Sequence, residues 1–336
     1  MIFFYKFVDL YVECNKYVIM SKLAVVALGG NALLRGNQKG TIEEQVQNAT
    51  DTLENLVYLI KEGYNLVIGH GNGPQVGNIL MRNDAGEHTY NIPQMPLDVC
   101  VADSQGGIGY MLERALRNVL KKHGINKEVI TLVTQVEVDK NDPAFQDPQK
   151  RVGKIYQKEE ADKLAAEKGW EFKEEVKAHG GWRRVVPSPK PISIVNQDTV
   201  KDLCDQGKII IAAGGGGVPV YYDEQGFLQP SEAVIDKDNA SSLLAANIKA
   251  DEFYILTDVP YVYINYKQPD EKKLEFLDKA DTDKYLDEGM FAEGSMAPKI
   301  RACLNFIEKG GSKSVITEAT KLEDRSYGTK ITMKYD

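Results

Sequence analysis

The sequence is poor in the residues that build metal centres and disulfide frameworks: 336 residues carry four cysteines, four histidines and two tryptophans. Cys14, Cys100, Cys204 and Cys303 stand alone, with no C-x-x-C pair and no zinc spacing, so reduced and chemically idle thiols are expected. The histidines are scattered and give no ligand cluster. Positive charge is also short, with 41 Lys and Arg against 49 Asp and Glu and a net charge of −8. No basic patch stands out, which argues against a nucleic-acid surface. Long apolar runs are missing too. The first 20 residues are apolar but are broken by Lys6, Asp9, Glu13 and Lys16. They are too charged to span a membrane, and they lack the uninterrupted core and small-residue cleavage site of a secretory signal. Residues 1–20 therefore read as a dispensable extension, and the chain as cytoplasmic. Absent as well are G-x-x-x-x-G-K-[ST], H-R-D and D-F-G, which excludes P-loop and protein kinases.

What is present turns regular after residue 22. LAVVAL, 23–28, is a short apolar run of the kind buried on both faces of a parallel sheet. Thr41 and Glu44 form a T-x-x-E capping box, and Ile42, Val46, Ala49, Leu53, Val57 and Ile60 recur at helical spacing until Gly63. Further buried strands are expected at 66–68, 129–133, 209–213, 253–256 and 314–317, and further helices at 109–122, 240–249 and 300–309. This alternation predicts an α/β fold on a parallel sheet. The charged stretch 154–177 reads as an exposed helical excursion. Phe145, Tyr156, Trp170, Phe172 and Trp182 around it predict a small packed subdomain or lid. A lobe boundary is expected within 192–207.

Ligands of an open parallel sheet bind beyond the carboxyl ends of its strands. Three glycine-rich segments fall there: ALGGNALL (27–34), GHGNGPQVG (69–77) and AAGGGGVPV (212–220). Glycine lets backbone N–H groups approach phosphate oxygens closely, so three such turns point to two phosphate-bearing ligands. G-x-G-x-x-x-G at 71–77 resembles a dinucleotide fingerprint. The residues after Gly77 hold no second strand with the acidic residue that fingerprint needs. Positive charge for a phosphoryl group is available from Lys237 in VIDKD, Lys299 in GSMAPK and Lys150 in DPAFQDPQK. Asp238 is placed to hold two lysines apart and aimed. In-line phosphoryl transfer needs such positioning and charge stabilisation and no covalent intermediate.

Taken together these segments closely resemble the carbamate kinases of the amino acid kinase family. The resemblance rests on ALGGNALL, GNGPQVG, DVCVADSQGGIGYM (98–111), VTQVEVD (133–139), DPAF (142–145), GWRRVVPSPKP (181–191), AAGGGGVPV, VIDKD, LTDVPYVYINYKQPDE (256–271) and GSMAPK. It implies a three-layer αβα sandwich with a mainly parallel central sheet and a protruding subdomain at about 142–190. Residues 21–200 would form the lobe that binds carbamoyl phosphate, and 201–336 the nucleotide-binding lobe. The implied reaction is ATP plus carbamate to ADP plus carbamoyl phosphate, run toward ATP in fermentative arginine breakdown. Gly29, Gly30, Asn31, Gly71, Asn72 and Gly73 would cradle the substrate and the transferred group. Lys237 and Lys299 would stabilise the transition state, organised by Asp238, and Lys150 would reach in from the subdomain. Gly214, Gly215, Asp258, Met296 and Pro298 would join the two lysines on the nucleotide side. Mg²⁺ would be held mainly by the nucleotide phosphates, without a dedicated metal site, and a homodimer is implied. Gln149 and Arg151 depart from the family pattern, leaving Arg151 and Lys154 as other candidates for the subdomain cation. A sister acylphosphate-forming kinase of acetylglutamate or aspartate, and a non-catalytic nucleotide-binding regulator, are the rival readings.

Overall fold

Every residue of LAVVAL is buried in strand β1 (Leu23–Leu28), and its alternate side chains enter two different cores. Val25 and Ala27 join Val67, Phe253, Leu244 and Phe306 on one face; Ala24, Val26 and Leu28 join Leu53, Leu56, Leu112 and Leu116 on the other. A period of two in a run with no polar residue gives a strand covered on both sides, the centre of a three-layer sandwich. The computed structural model describes residues 21–36, 38–175 and 181–335. The 1–20 extension and Cys14 lie outside the described residues.

The central sheet also holds β2 (Asn65–His70), β3 (Val129–Thr131), β9 (Ile209–Ile211), β12 (Glu252–Thr257), β15 (Phe276–Asp278), β16 (Lys313–Glu318) and β17 (Thr329–Thr332). Its order is β15-β17-β16-β12-β1-β2-β9-β3. All neighbours run parallel except β16 and β17. β9, from the chain after residue 201, lies between β2 and β3. A smaller sheet of β4 (Gln135–Val138), β8 (Pro191–Ile194), β10 (Val218–Tyr222) and β11 (Leu228–Pro230) sits beside it, and β13 (Val262–Ile264) pairs with β14 (Lys272–Leu274) as a hairpin. The subdomain is an antiparallel sheet of β5 (Lys150–Tyr156), β7 (Gly181–Val186) and β6 (Glu171–Glu175).

Eight helices of eight or more residues are described. α1 (Ile42–Lys61) starts at the expected capping box: Thr41 accepts from the Glu44 N–H, and the Glu44 carboxylate accepts from the Thr41 N–H. α2 is Gly73–Tyr90, α3 Leu97–Lys122, α4 Lys158–Lys168, α5 Gln197–Asp205, α6 Lys237–Asn247, α7 Lys279–Asp287 and α8 Met296–Glu308. Five of these correct the sequence reading. α5 and α7 have no expected counterpart: they are short helices, and they bury only Val200 and Cys204 in the first and only Thr282 in the second. α2 has no expected counterpart: only Val76 and Gly77 are fully buried along it, so it carries no apolar stripe to read. α3 begins twelve residues before the expected 109, because Leu97, Cys100 and Val101 face the subdomain root while Ile108, Leu112 and Leu116 face the main core. The apolar face changes partner midway, which breaks the period. Among the described residues the charged 154–177 stretch is helical only in α4, flanked by β5 and β6.

Candidate active site

VIDKD lies at a loop-to-helix junction, and its first aspartate fixes the junction. Asp236 is the N-cap of α6, accepting from the Asp238 N–H at 2.9 Å and the Asn239 N–H at 3.4 Å. The cap sets Lys237 and Asp238 as the first two helical residues. Asp238 is turned inward, with 5% of its side chain exposed, against 14% for Lys237 and 18% for Lys299. Lys237 donates to one Asp238 oxygen, and Lys299, from the first turn of α8, donates to the other at 2.8 Å. One carboxylate thus pins two ammonium groups. Burial alone would raise the Asp238 pKa, but the two lysines outweigh it and hold the carboxyl at about 2. Burial lowers the affinity of Lys237 for its proton, while at Lys299 the attraction of Asp238 outweighs burial and raises it.

Lys150, at the start of β5, reaches the second oxygen of Asp236 at 3.3 Å. Arg151 instead pairs with Glu175 at 3.1 Å and Lys154 with Glu160 at 3.0 Å, both within the subdomain. Lys150 is therefore the cation of the three that meets the VIDKD junction.

The second and third glycine segments interlock near this centre, and the first is tied to β12. Gly29 donates to the Leu256 carbonyl at 2.9 Å, and a Cβ there would lie 2.6 Å from that oxygen. The first loop is thus strapped to the end of β12. Gly30 and Gly73 face open space, and the Asn31 backbone lies in the 3₁₀ turn Gly30–Ala32. Gly71 packs on the Lys237 stem. Gly214 and Gly215 sit at the seam between the second and third loops. A Cβ on Gly214 would come 2.3 Å from His70 Nε2, and one on Gly215 2.2 Å from Asn72 Nδ2. Asn72 donates to Ser104 Oγ at 2.8 Å. Gln105 exchanges two hydrogen bonds with the Thr134 backbone, at 2.8 and 3.2 Å, and Thr134 Oγ1 accepts from the Ala213 N–H at 3.0 Å. The buried S-Q dipeptide of α3 thereby holds both loops in place.

A cleft of about 350 Å³ opens between Gly29, Gly30, Thr257, Asp258, Lys299 and Thr320. Met296 and Pro298 lie in the first turn of α8 beside it and do not line it. Asp258, at the end of β12, takes a hydrogen bond from Thr257 Oγ1 at 3.1 Å. Among the described residues no three His, Cys, Asp or Glu side chains gather into a metal-holding group.

Sequence reasoning missed Asp236, His70, Ser104, Gln105 and Thr134. Asp236 carried a readable signal, an aspartate just before a helix. The others act through long-range contacts that no local pattern displays.

Among the described residues no helix is long and apolar enough to cross a membrane. The model of the amino acid kinase family matches residues 22–318. The carbamate kinase of Thermococcus kodakarensis is 52% identical over 314 residues, covering 92% of this chain and 99% of that protein. That of Pyrococcus furiosus is 50% identical over 302 residues, covering 90% and 95%. The structure of Giardia lamblia carbamate kinase bound to AMP-PNP superposes with a TM-score of 0.87 at 41% identity, covering 93% of this chain and 99% of that one. With two lysines pinned by one buried aspartate beside two interlocked glycine loops, and with relatives matched over nearly their whole length, the chain belongs to the carbamate kinases of the amino acid kinase family.

Proposed function

We propose that this chain catalyses reversible phosphoryl transfer: ATP and carbamate to ADP and carbamoyl phosphate. The observation that carries the reading is the pair Lys237 and Lys299 on opposite oxygens of buried Asp238, with Lys299 lining a cleft alongside Gly29 and Gly30. In the forward direction a carbamate oxygen attacks the γ-phosphorus in line, the new P–O bond forms, and the bond to the β-phosphate bridging oxygen breaks. Negative charge spreads over the moving group and builds on the departing ADP. Two ammonium groups fixed before reaction stabilise that charge without reorganising. Asp238 keeps them apart and aimed; as a carboxylate held at low pKa it stays ionised throughout.

In this reading Gly29, Gly30, Asn31, Gly71, Asn72 and Gly73 hold carbamoyl phosphate and the transferred group, and Lys150 meets the substrate from the subdomain. Gly214, Gly215, Asp258, Met296 and Pro298 serve the nucleotide. Residues 21–200 carry the substrate side and 201–336 the nucleotide side. Asp258, Glu318 and the hydroxyls of Thr257 and Thr320 give the cleft hard oxygen donors, which suit Mg²⁺ bound mainly through phosphate oxygens and water. When bound, the ion neutralises phosphate charge. A cytoplasmic homodimer, making ATP in fermentative arginine breakdown, completes the reading.

The test is ATP formation from ADP and carbamoyl phosphate with Mg²⁺, comparing wild type with Lys237→Ala. ATP from the wild type and near loss in the variant is expected. A folded wild type that forms none overturns the assignment and makes acetylglutamate and aspartate the next substrates to try.

A further inference from the structure

His70 ends β2 at the carboxyl edge of the sheet, opposite Leu28 of β1. It is 1% exposed and is not one of the groups assigned to charge stabilisation. Its Nδ1 lies 2.9 Å from the Gly71 carbonyl, which only accepts, so Nδ1 carries the proton of a neutral ring. Burial first, and the charge of Lys237 beside it, push the ring pKa down to about 4, against the pull of the Gly71 hydrogen bond. The far edge of the ring lies on Gly214. All three atoms nearest a Cβ at Gly214 belong to this imidazole, at 2.3, 2.7 and 3.2 Å. Gly214 is not among the glycines with positive φ. Its lack of a side chain therefore answers to space for His70 and not to backbone conformation.

We infer that His70 is a positioning residue: a neutral wedge that sets the spacing between the second glycine loop, which packs on Lys237 through Gly71, and the third, on the nucleotide side. The ring holds the second loop through the Gly71 carbonyl and bears on the third through Gly214. In-line transfer requires the donor and acceptor phosphate cradles to be aligned before reaction, and a displacement of about 1 Å costs on the order of a hundredfold in rate. A cationic side chain of the same size would repel Lys237. A neutral imidazole fills the gap with no charge of its own. The inference rests on the phosphoryl-transfer reading above.

The experiment is a size-swap cycle on the full chain, with ATP formation from ADP and carbamoyl phosphate as readout and unfolding midpoints as control. The proteins are wild type, His70→Ala, Gly214→Ala and the double variant. Gly214→Ala is expected to lower kcat at least about tenfold by driving the new methyl into the ring. His70→Ala is expected to lower kcat similarly, with both KM values within about twofold. The double variant, in which the methyl fills space left by the ring, is expected to recover at least about fivefold over Gly214→Ala. Wild-type activity in Gly214→Ala, or losses that simply multiply in the double variant, overturns the wedge. If Gly214→Ala does not fold, His70→Asn decides: it keeps an N–H for the Gly71 carbonyl but is too short to reach Gly214. A fall in kcat at unchanged KM supports the wedge, and wild-type kcat overturns it. Failure of the wild type to form ATP is a different result, since it removes the reaction and with it the role of His70 in it.

Discussion

In the body of this molecule β1 and β2 are buried at every position, and β12 at every position but its last. In the subdomain β5 buries only Val152 and Tyr156, and β6 buries nothing fully. What the subdomain lacks in burial it replaces with charge. Lys168 crosses to Glu87 of α2 at 2.7 Å and Lys173 meets Asp147 at 2.7 Å, while the buried Arg184 stacks 4.0 Å from the Trp170 ring and reaches Glu232 at 3.4 Å. Among its described residues the root is seated in a core, through Val152 and Val186 against Val76, Leu97 and Val101, with Tyr156, Ala161 and Val185 also buried. Burial gives a body that does not yield. Exposed pairs, each worth about 0–1 kcal/mol and screened by salt, give an appendage whose distal part is held weakly. The two lysines on Asp238 belong to the first kind of structure and Lys150 to the second.

The contrast is sharpest in stability. Phe253→Ala, at a fully buried ring against Phe306, is expected to destabilise the body by about 3–5 kcal/mol in urea unfolding. A loss under 1 kcal/mol would mean the sheet does not carry the fold. Next comes Lys237→Ala, expected to lower kcat by about 10²–10³ with the unfolding midpoint nearly kept. Equal damage from Lys150→Ala would erase the distinction between a built-in and an appended lysine.

A third effect depends on pH. His70 has a folded pKa of about 4 against its ordinary 6.5. Between those values the unfolded chain holds a proton that the folded one does not. Its contribution to stability is thus full above pH 6.5 and is lost as pH falls toward 4, on the order of 3 kcal/mol in all. Urea midpoints at pH 7 and 4.5 should converge more in His70→Asn than in wild type; an unchanged slope means the ring is not held neutral. Lys150→Ala should follow, raising the KM for carbamoyl phosphate roughly tenfold, about 1.4 kcal/mol, with a smaller change in kcat. Lys168→Ala, smallest of the five, should cost under about 1 kcal/mol globally. It should still speed proteolysis of the subdomain, and 0.5 M salt should mimic it in wild type.

The same contrast governs what the sequence discloses. Strands covered on both faces are continuous apolar runs, so β1, β2, β9, β12 and β16 were legible, as was the capping box of α1. α2 was not, because a polar helix set between solvent and glycine loops shows no stripe. Lys237, Asp238 and Lys299 were legible through local composition and resemblance. Asp236 shows in the sequence only as an aspartate ahead of a helix, and it caps the helix that presents Lys237 and Asp238. His70, Gln105 and Thr134 bind partners on other elements, Gln105 and Thr134 across 29 residues and His70 across more than 140. Only the folded chain brings those together.

Asp236 divides its two oxygens between unlike duties. One is committed to the N–H groups that begin α6, and the other accepts Lys150. An incoming dianion that attracts Lys150 must therefore displace a carboxylate already there, and displacing it leaves the helix start intact. If Lys150 meets the substrate as proposed, anion capture by the arm is an exchange rather than an addition. A doubly charged phosphate should gain more from the swap than a weakly binding monoanion, with Asp236 setting part of that discrimination without touching either one.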